Sequence, residues 1–290
     1  MVAYAVTPGV LALSLGVAVS QMGRGPTIAV SAAVLTGALV IAALERLTPH
    51  TPAWVPTWRA LRVDALHALV TARLVTPAVQ AALLVLLGGS LTEGTWALPA
   101  LQAAPLAAQV GFAVVLADLG AYVAHRLMHS TGWGWRMHAV HHASTSLNLL
   151  ASARSHPFNA AFTSGAELAP LLALGAPAPV LAYWSVIKVV NGLLQHCNVV
   201  IEPGWLGGVL ATAEAHRWHH SVHLAESNTN FGNTTLVWDR LFGTLHQPSD
   251  RRPGIAVGIA GADVPEGYLT HLGAPFVLQR YAVEPGDPRA

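Results

Sequence analysis

Fifteen histidines stand in this chain, as many as its lysines and arginines together, and most of them fall between His125 and His223. His125 and His129 are four apart, His138, His141 and His142 form an HxxHH segment, and His216, His219 and His220 repeat that pattern. Residues four apart share a helix face, so the outer pair of each box can converge on one ion. The middle histidine of an HxxHH box is turned by about 100°, which suits two neighbouring metals better than one. Eight imidazoles are also too many for a single tetrahedral site. A lone histidine is normally an ordinary core or surface residue; three boxes at helical spacing beside a membrane are not, because clustered ionisable groups are costly there.

Imidazole suits zinc, copper, iron and nickel. A zinc hydrolase typically carries HExxH with the glutamate as general base, but Arg126 follows His125, Arg217 follows His216, and no box contains a glutamate. A haem protein needs only one or two axial histidines. Ligand count therefore favours a redox-active di-iron centre. A zinc-dependent membrane hydrolase and a histidine-rich metal transporter remain the rival readings. A transporter should place its ligands near the bilayer midplane, whereas these boxes follow apolar runs.

The elements that must position the boxes are membrane helices. Of 290 residues, 53% are hydrophobic and only 10% charged, against about 25% charged in a soluble domain. The net charge of +1 offers no basic field for nucleic acid, and a single cysteine, Cys197, allows no intramolecular disulfide. Abundant Ala, Gly, Pro and Arg with one Lys fits a GC-rich bacterial genome, and hence a bacterial inner membrane.

Runs near the roughly 20 apolar residues of a span lie at about Ala5–Met22, Thr27–Leu44, Ala65–Gly89 and Pro105–Ala124. An apolar hairpin follows, Phe158–Leu174 and Pro179–His196, broken by the prolines of Gly175–Pro179. The first run lacks a basic n-region and is read as a retained helix rather than a signal peptide. Arginines cluster after the second, fourth and sixth runs, so the positive-inside rule puts both termini and every box on the cytoplasmic side. The expected fold is an all-α, polytopic membrane bundle of about four spans plus a hairpin, with a cytosolic, histidine-rich helical cap. The expected division is residues 1–117 for the N-terminal spans, 118–244 for the catalytic domain with its hairpin 158–196, and 245–290 for a cytosolic segment whose end from Glu284 is loose.

Seven elements occur in order: Asp118 with His125-Arg-Leu-Met-His129, Trp135-Arg-Met-His-Ala-Val-His-His-Ala-Ser144, Arg154-Ser-His-Pro157, Gln195-His-Cys-Asn198, His216-Arg-Trp-His-His-Ser221, Asn230-Phe-Gly232 and Trp238-Asp-Arg-Leu-Phe-Gly-Thr244. Over about Asp118–Thr244 the chain thereby resembles the fatty acid hydroxylase/sterol desaturase superfamily. Residues 1–63 and 245–290 carry no such element. The resemblance implies a helical membrane base with a cytosolic cap, two iron ions, O2 as co-substrate and a lipid substrate. It implies His125, His129, His138, His141, His142, His216, His219 and His220 as metal ligands. His196 matches the family's separate histidine at the end of a membrane helix, and His156 is similar to the histidine of its Arg-x-His-Pro element, as ligand or support. The additional histidine that some members carry upstream of the last box is absent in matching form.

Metal-bound histidines usually donate their other N–H to a carboxylate or carbonyl. Asp118, two turns before His125, is the first candidate for that role, with capping or a substrate-pocket acid as its alternatives; Asp239 and Glu214 are weaker ones. His223 is open between ligand, support and surface, while His50, His67, His246 and His271 read as ordinary residues. Lys188, Asn191 and Gln195 form one polar stripe, expected to pair with Glu167 or to line a channel. The reaction is hydroxylation or desaturation of a sterol-like, fatty acyl or alkylglycerol lipid, with hydroxylation preferred. With no dinucleotide or flavin motif visible, electrons come from a separate donor protein or reductant.

Overall fold

The computed structural model describes residues 2–88, 96–248, 255–261 and 264–277. The last residue expected of the third span, Gly89, lies outside these, as do Leu91–Thr95, Arg251, Arg252 and the tail from Glu284. Among the described residues there is no strand, only helices and isolated bridges.

Two antiparallel helices open the chain, α1 (Val2–Gln21) and α2 (Pro26–Leu47). The turn between them needs Gly25 at a φ of 114°, a conformation cheap only without a Cβ, and Pro26 then starts α2. A third long helix is built in three stretches, α3 (Trp58–His67), a π-helical segment over Ala68–Val75, and α4 (Thr76–Gly88). After the short α5 (Pro99–Gln102) comes α6 (Leu106–Ser130), which runs through the expected fourth span and on into the first histidine box. Among the described residues four helices are thus long and apolar enough to cross a bilayer: Ala3–Arg24, Pro26–Leu47, Trp58–Leu86 and Leu106–Ser130.

The hairpin forms as α8 (Pro157–Ala173) and α9 (Ala178–His196), of 17 and 19 residues. At 1.5 Å per residue these are roughly 26 and 28 Å long, a little short of the hydrocarbon thickness. As expected of a fold with about four spans plus a hairpin, the hairpin falls outside the set of helices long and apolar enough to cross. The physical reason is its role as filling. Val186, Val190 and Leu194 of α9 are buried against α1 and α2, and Val180 and Trp184 pack with α6 and α8. Small residues allow this: a Cβ on Gly120 would stand 2.0 Å from the Ala166 carbonyl oxygen, so α6 and α8 touch backbone to backbone. Leu35, Leu39, Leu69, Leu74 and Val85 instead face outward from the bundle.

The cap is made of short helices: α7 (Gly132–His142), α10 (Ala213–His219), α11 (Leu224–Ser227), α12 (Val237–Phe242) and α13 (Tyr268–Val277). Thr131 caps α7 by accepting from the Gly134 N–H. The segment after residue 244 is no loose appendage over its described part: Ala274 of α13 is buried with Trp135, Ala139 and Val140 of α7.

Candidate metal centre

Nine imidazoles come together at the membrane end of the cap, in two adjacent groups. His125, His129, His138, His142 and His219 form one, and His141, His196, His216 and His220 the other; within each, one ring nitrogen per residue lies within 4.8 Å of the rest. The helical phase of the boxes produces the division. On α7 the outer pair His138 and His142 faces the first group while His141 turns to the second. On α10 the outer pair His216 and His220 faces the second group while His219 turns to the first. His125 and His129 arrive on the last turns of α6, and His196 ends α9. The groups abut, with the His142 and His220 rings stacked at 4.4 Å between centroids.

Backbone carbonyls fix the tautomers. The Nδ1 of His125 donates to Phe231 O at 2.9 Å, that of His219 to Thr229 O at 2.7 Å, that of His141 to Arg154 O at 3.0 Å and that of His196 to Gly192 O at 2.9 Å. A carbonyl oxygen can only accept, so each Nδ1 carries the proton and each Nε2 keeps a bare lone pair. The Nε2 atoms of each group converge. His196 Nε2 stands 3.2 Å from His141 Nε2 and 2.9 Å from His216 Nε2, and His220 Nε2 stands 3.0 Å from His216 Nε2. In the first group His138 Nε2 lies 3.0 Å from His125 Nε2 and 3.2 Å from His142 Nε2. One proton could relieve one such contact; a divalent cation relieves all of them. Metal–imidazole bonds of about 2.1 Å at right angles separate the nitrogens by about 3.0 Å, close to the spacing found, so the residues fit a metal in each group.

Burial keeps the rings in the ligating form. It holds His138, His142, His216, His219 and His220 well below the ordinary histidine range and takes His141 to about 4, because an imidazolium is poorly solvated there. Neutral imidazole is what a metal binds.

Two of the expected site residues stand apart from both groups. Asp118 does not hold an imidazole; its Oδ1 accepts from the N–H groups of Asn233 and Thr234 at 3.0 and 2.7 Å, and its Oδ2 from the N–H and hydroxyl of Thr235 at 3.1 and 2.6 Å. Its position two turns before His125 brings it under the loop that follows α11 rather than beside a ring. His156 lies outside both groups. Its Nδ1 accepts from Phe158 N–H at the start of α8 and its Nε2 lies 3.2 Å from Leu272 O, so neither nitrogen is turned to a metal. His223 is likewise outside both groups, at the head of α11.

What sequence reasoning missed is the loop 228–235, which supplies most of the first group's supports. Besides Thr229 O and Phe231 O, the Asn228 side-chain oxygen meets His129 Nδ1 at 3.2 Å. Asp239 accepts from Phe231 and Gly232 N–H, both at 2.8 Å, and so supports indirectly the carbonyl that holds His125. Asn233 links the loop to Glu167, which forms the expected ion pair with Lys188. A Cβ on Gly232 would lie 1.9 Å from Thr235 O. The Asn230-Phe-Gly232 element was the available signal, but nothing in its residue types says that its carbonyls are what matters.

A helical membrane bundle whose histidine boxes converge in two metal-sized groups defines the class of protein. The fatty acid hydroxylase family model matches residues 110–244. An ornithine lipid hydroxylase from Rhizobium tropici is 36% identical over 250 residues, covering 83% of this chain and 74% of its own. The chain belongs to the fatty acid hydroxylase family. The human alkylglycerol monooxygenase is 29% identical over 134 residues, 46% of this chain but only 30% of that enzyme. A methylsterol monooxygenase from Arabidopsis thaliana is 28% identical over 142 residues, 48% of this chain and 53% of its own. No solved structure matches.

Proposed function

We propose that this chain is a membrane-bound di-iron oxygenase that hydroxylates a C–H bond of a membrane lipid with O2. The observation that carries the reading is the division of nine imidazoles into adjacent groups of five and four, each with converging lone pairs. His125, His129, His138, His142 and His219 would hold one iron, and His141, His196, His216 and His220 the other. Iron there supplies the ability to pass electrons to O2 and oxidise an unactivated C–H bond, which no side chain possesses. Five and four donors fall short of six, so each group leaves room for an exogenous ligand, as catalytic sites do.

The chain's own residues do the positioning. The carbonyls of Phe231, Thr229, Arg154 and Gly192 keep the proton on Nδ1 and aim Nε2 inward. The Phe231 ring packs on His125, His129 and His219 with centroids 5.6, 5.3 and 5.9 Å away, an apolar wall that keeps water from that group. Since α6 and α9 both end in ligands, a substrate dissolved in the bilayer reaches the site along the helices that build it. The ornithine lipid hydroxylase and the monooxygenases among the relatives favour hydroxylation over desaturation. Electrons come from a separate donor in this reading, and the arginine distribution supports a site on the cytoplasmic side of a bacterial inner membrane.

The test is a metal-free preparation reconstituted separately with Fe2+ and Zn2+, then given a reductant, a lipid extract and labelled O2. Label in a lipid hydroxyl with iron alone is the expected result, since zinc has no redox chemistry. Equal activity with zinc, or product without O2, overturns the oxygenase reading. A new double bond without label turns the assignment to desaturation.

A further inference from the structure

Behind His141, on its Nδ1 side, lies a buried polar cluster drawn from three distant parts of the chain. The Arg154 side chain is 1% exposed; its Nε donates to Asp64 Oδ1 at 2.7 Å and its Nη1 to Glu266 Oε1 at 2.9 Å. Asp64 sits on α3 and is equally buried, while Glu266 comes two residues before α13 and is a third exposed. Burying a guanidinium is unfavourable unless it is paired, and an aliphatic residue would fill the same space without that cost. What the pairing adds is direction. A guanidinium held by two carboxylates from opposite ends of the sequence restrains its own main chain, and the Arg154 carbonyl is the acceptor for His141 Nδ1.

The neighbouring peptide is restrained in the same way. Ser155 O lies 3.1 Å from both His67 Nδ1 and Thr71 Oγ1, where the π-helical segment begins. His67 Nε2 meets His271 Nδ1 of α13 at 3.1 Å, both rings being fully buried. Two histidines that read as ordinary in the sequence thus join the C-terminal segment to the turn that carries Arg154.

We propose that Asp64, Arg154 and Glu266 are positioning residues for the four-imidazole group, acting through the Arg154 carbonyl on the tautomer and aim of His141. The inference rests on the two-metal reading. Its specificity comes from the division of supports. In the first group His129, His219 and His125 take their acceptors from Asn228, Thr229 and Phe231, so loosening the Arg154 turn leaves those three their own. The C-terminal segment, which carries none of the clustered histidines, thereby reaches the four-imidazole group through the Arg154 turn, besides packing on α7 through Ala274.

The experiment uses the full chain in detergent, unsubstituted and as Asp64→Asn, Glu266→Gln and Asp64→Glu, titrated with Fe2+. The unsubstituted protein is expected to take up two irons with the spectroscopic signature of a coupled pair. Asp64→Asn should weaken one site about 10–100-fold, the range for supports of a ligating imidazole, and give an isolated-iron signature at limiting metal. Glu266→Gln, at the more exposed partner, should shift the same site less and serves if Asp64→Asn does not fold. Asp64→Glu should restore part of the lost affinity. Two full-strength irons in both Asp64→Asn and Glu266→Gln, or equal weakening of both sites, overturns the proposal. Hydrogen exchange of segment 149–160 in the metal-free protein is the separating measurement, expected to quicken in Asp64→Asn. Unchanged exchange there removes the clamp whatever the metal count, whereas fewer than two irons in the unsubstituted chain defeats the two-metal reading.

Discussion

At the residue scale, the histidines divide by what their second nitrogen does. His219 donates Nδ1 to Thr229 O and offers Nε2 to the five-imidazole group. His219→Ala should therefore lower bound iron and abolish lipid oxidation while the protein remains membrane-inserted, checked by metal analysis and membrane fractionation. Full iron content with full activity would remove His219 from the site. His156 gives the contrast, since its Nδ1 caps α8. His156→Ala should keep both irons and cost about 1 kcal/mol, the usual value of an N-cap, seen as a small fall in the melting temperature. Loss of a metal in that variant would return His156 to the ligand set. Asp118 belongs with the structural group. Asp118→Asn turns one acceptor into a donor against buried N–H groups, each worth roughly 1–3 kcal/mol when left unpaired. A destabilisation of several kcal/mol by thermal or denaturant unfolding is the expected outcome, with activity lost through the loop it anchors. Unaltered stability with lost activity would return Asp118 to direct chemistry.

At the scale of elements, the loop 228–235 is the part on which the first metal group depends. Asp118 on α6, Asn191 and Gln195 on α9, and Glu167 on α8 all bond to it. Polar residues on membrane helices are costly unless they find partners inside the bundle; here Asp118 and Gln195 meet peptide groups of this loop, Glu167 the Asn233 side chain, and Asn191 both Thr234 O and Ala211 O. The polar stripe seen on α9 is thus structural in its contacts. Gly232 is the loop's weak point, because a methyl there collides with Thr235 O and approaches Asp239 Oδ2 to 2.8 Å. Gly232→Ala should displace the carbonyls that hold His125 and His219 and cut iron affinity at the five-imidazole group by about tenfold or more. Circular dichroism should be unchanged, since no long helix is touched. Normal iron binding in that variant would mean the loop carbonyls do not set the ligands.

At the scale of the molecule, four helices among the described residues are long and apolar enough to cross a bilayer, and the hairpin packs among them. Arg46, Arg59 and Arg62 follow α2, and Arg126 and Arg136 follow the apolar part of α6; the proposed cytoplasmic placing of the cap and both termini rests on them. A reporter fused after Ala290 should be cytoplasmic and one inserted near Thr95 periplasmic. Both reporters on one side would break the four-helix count.

The clustering of the box histidines was legible in the sequence, because helical phase is local: spacing alone turns His141 away from His138 and His142, and His219 away from His216 and His220. The membrane helices were legible for the same kind of reason, since apolar length is read along the chain. Spacing could not tell His196, which ends α9 among the ligands, from His156, which caps α8 outside them. Nor could it assign Asp118 to a loop more than a hundred residues away, or bring Asp64 and Glu266 to Arg154. Those outcomes depend on which backbone groups the folded chain carries to each side chain. A carbonyl has the same chemistry in every residue, so only the tertiary structure decides which of them holds an imidazole.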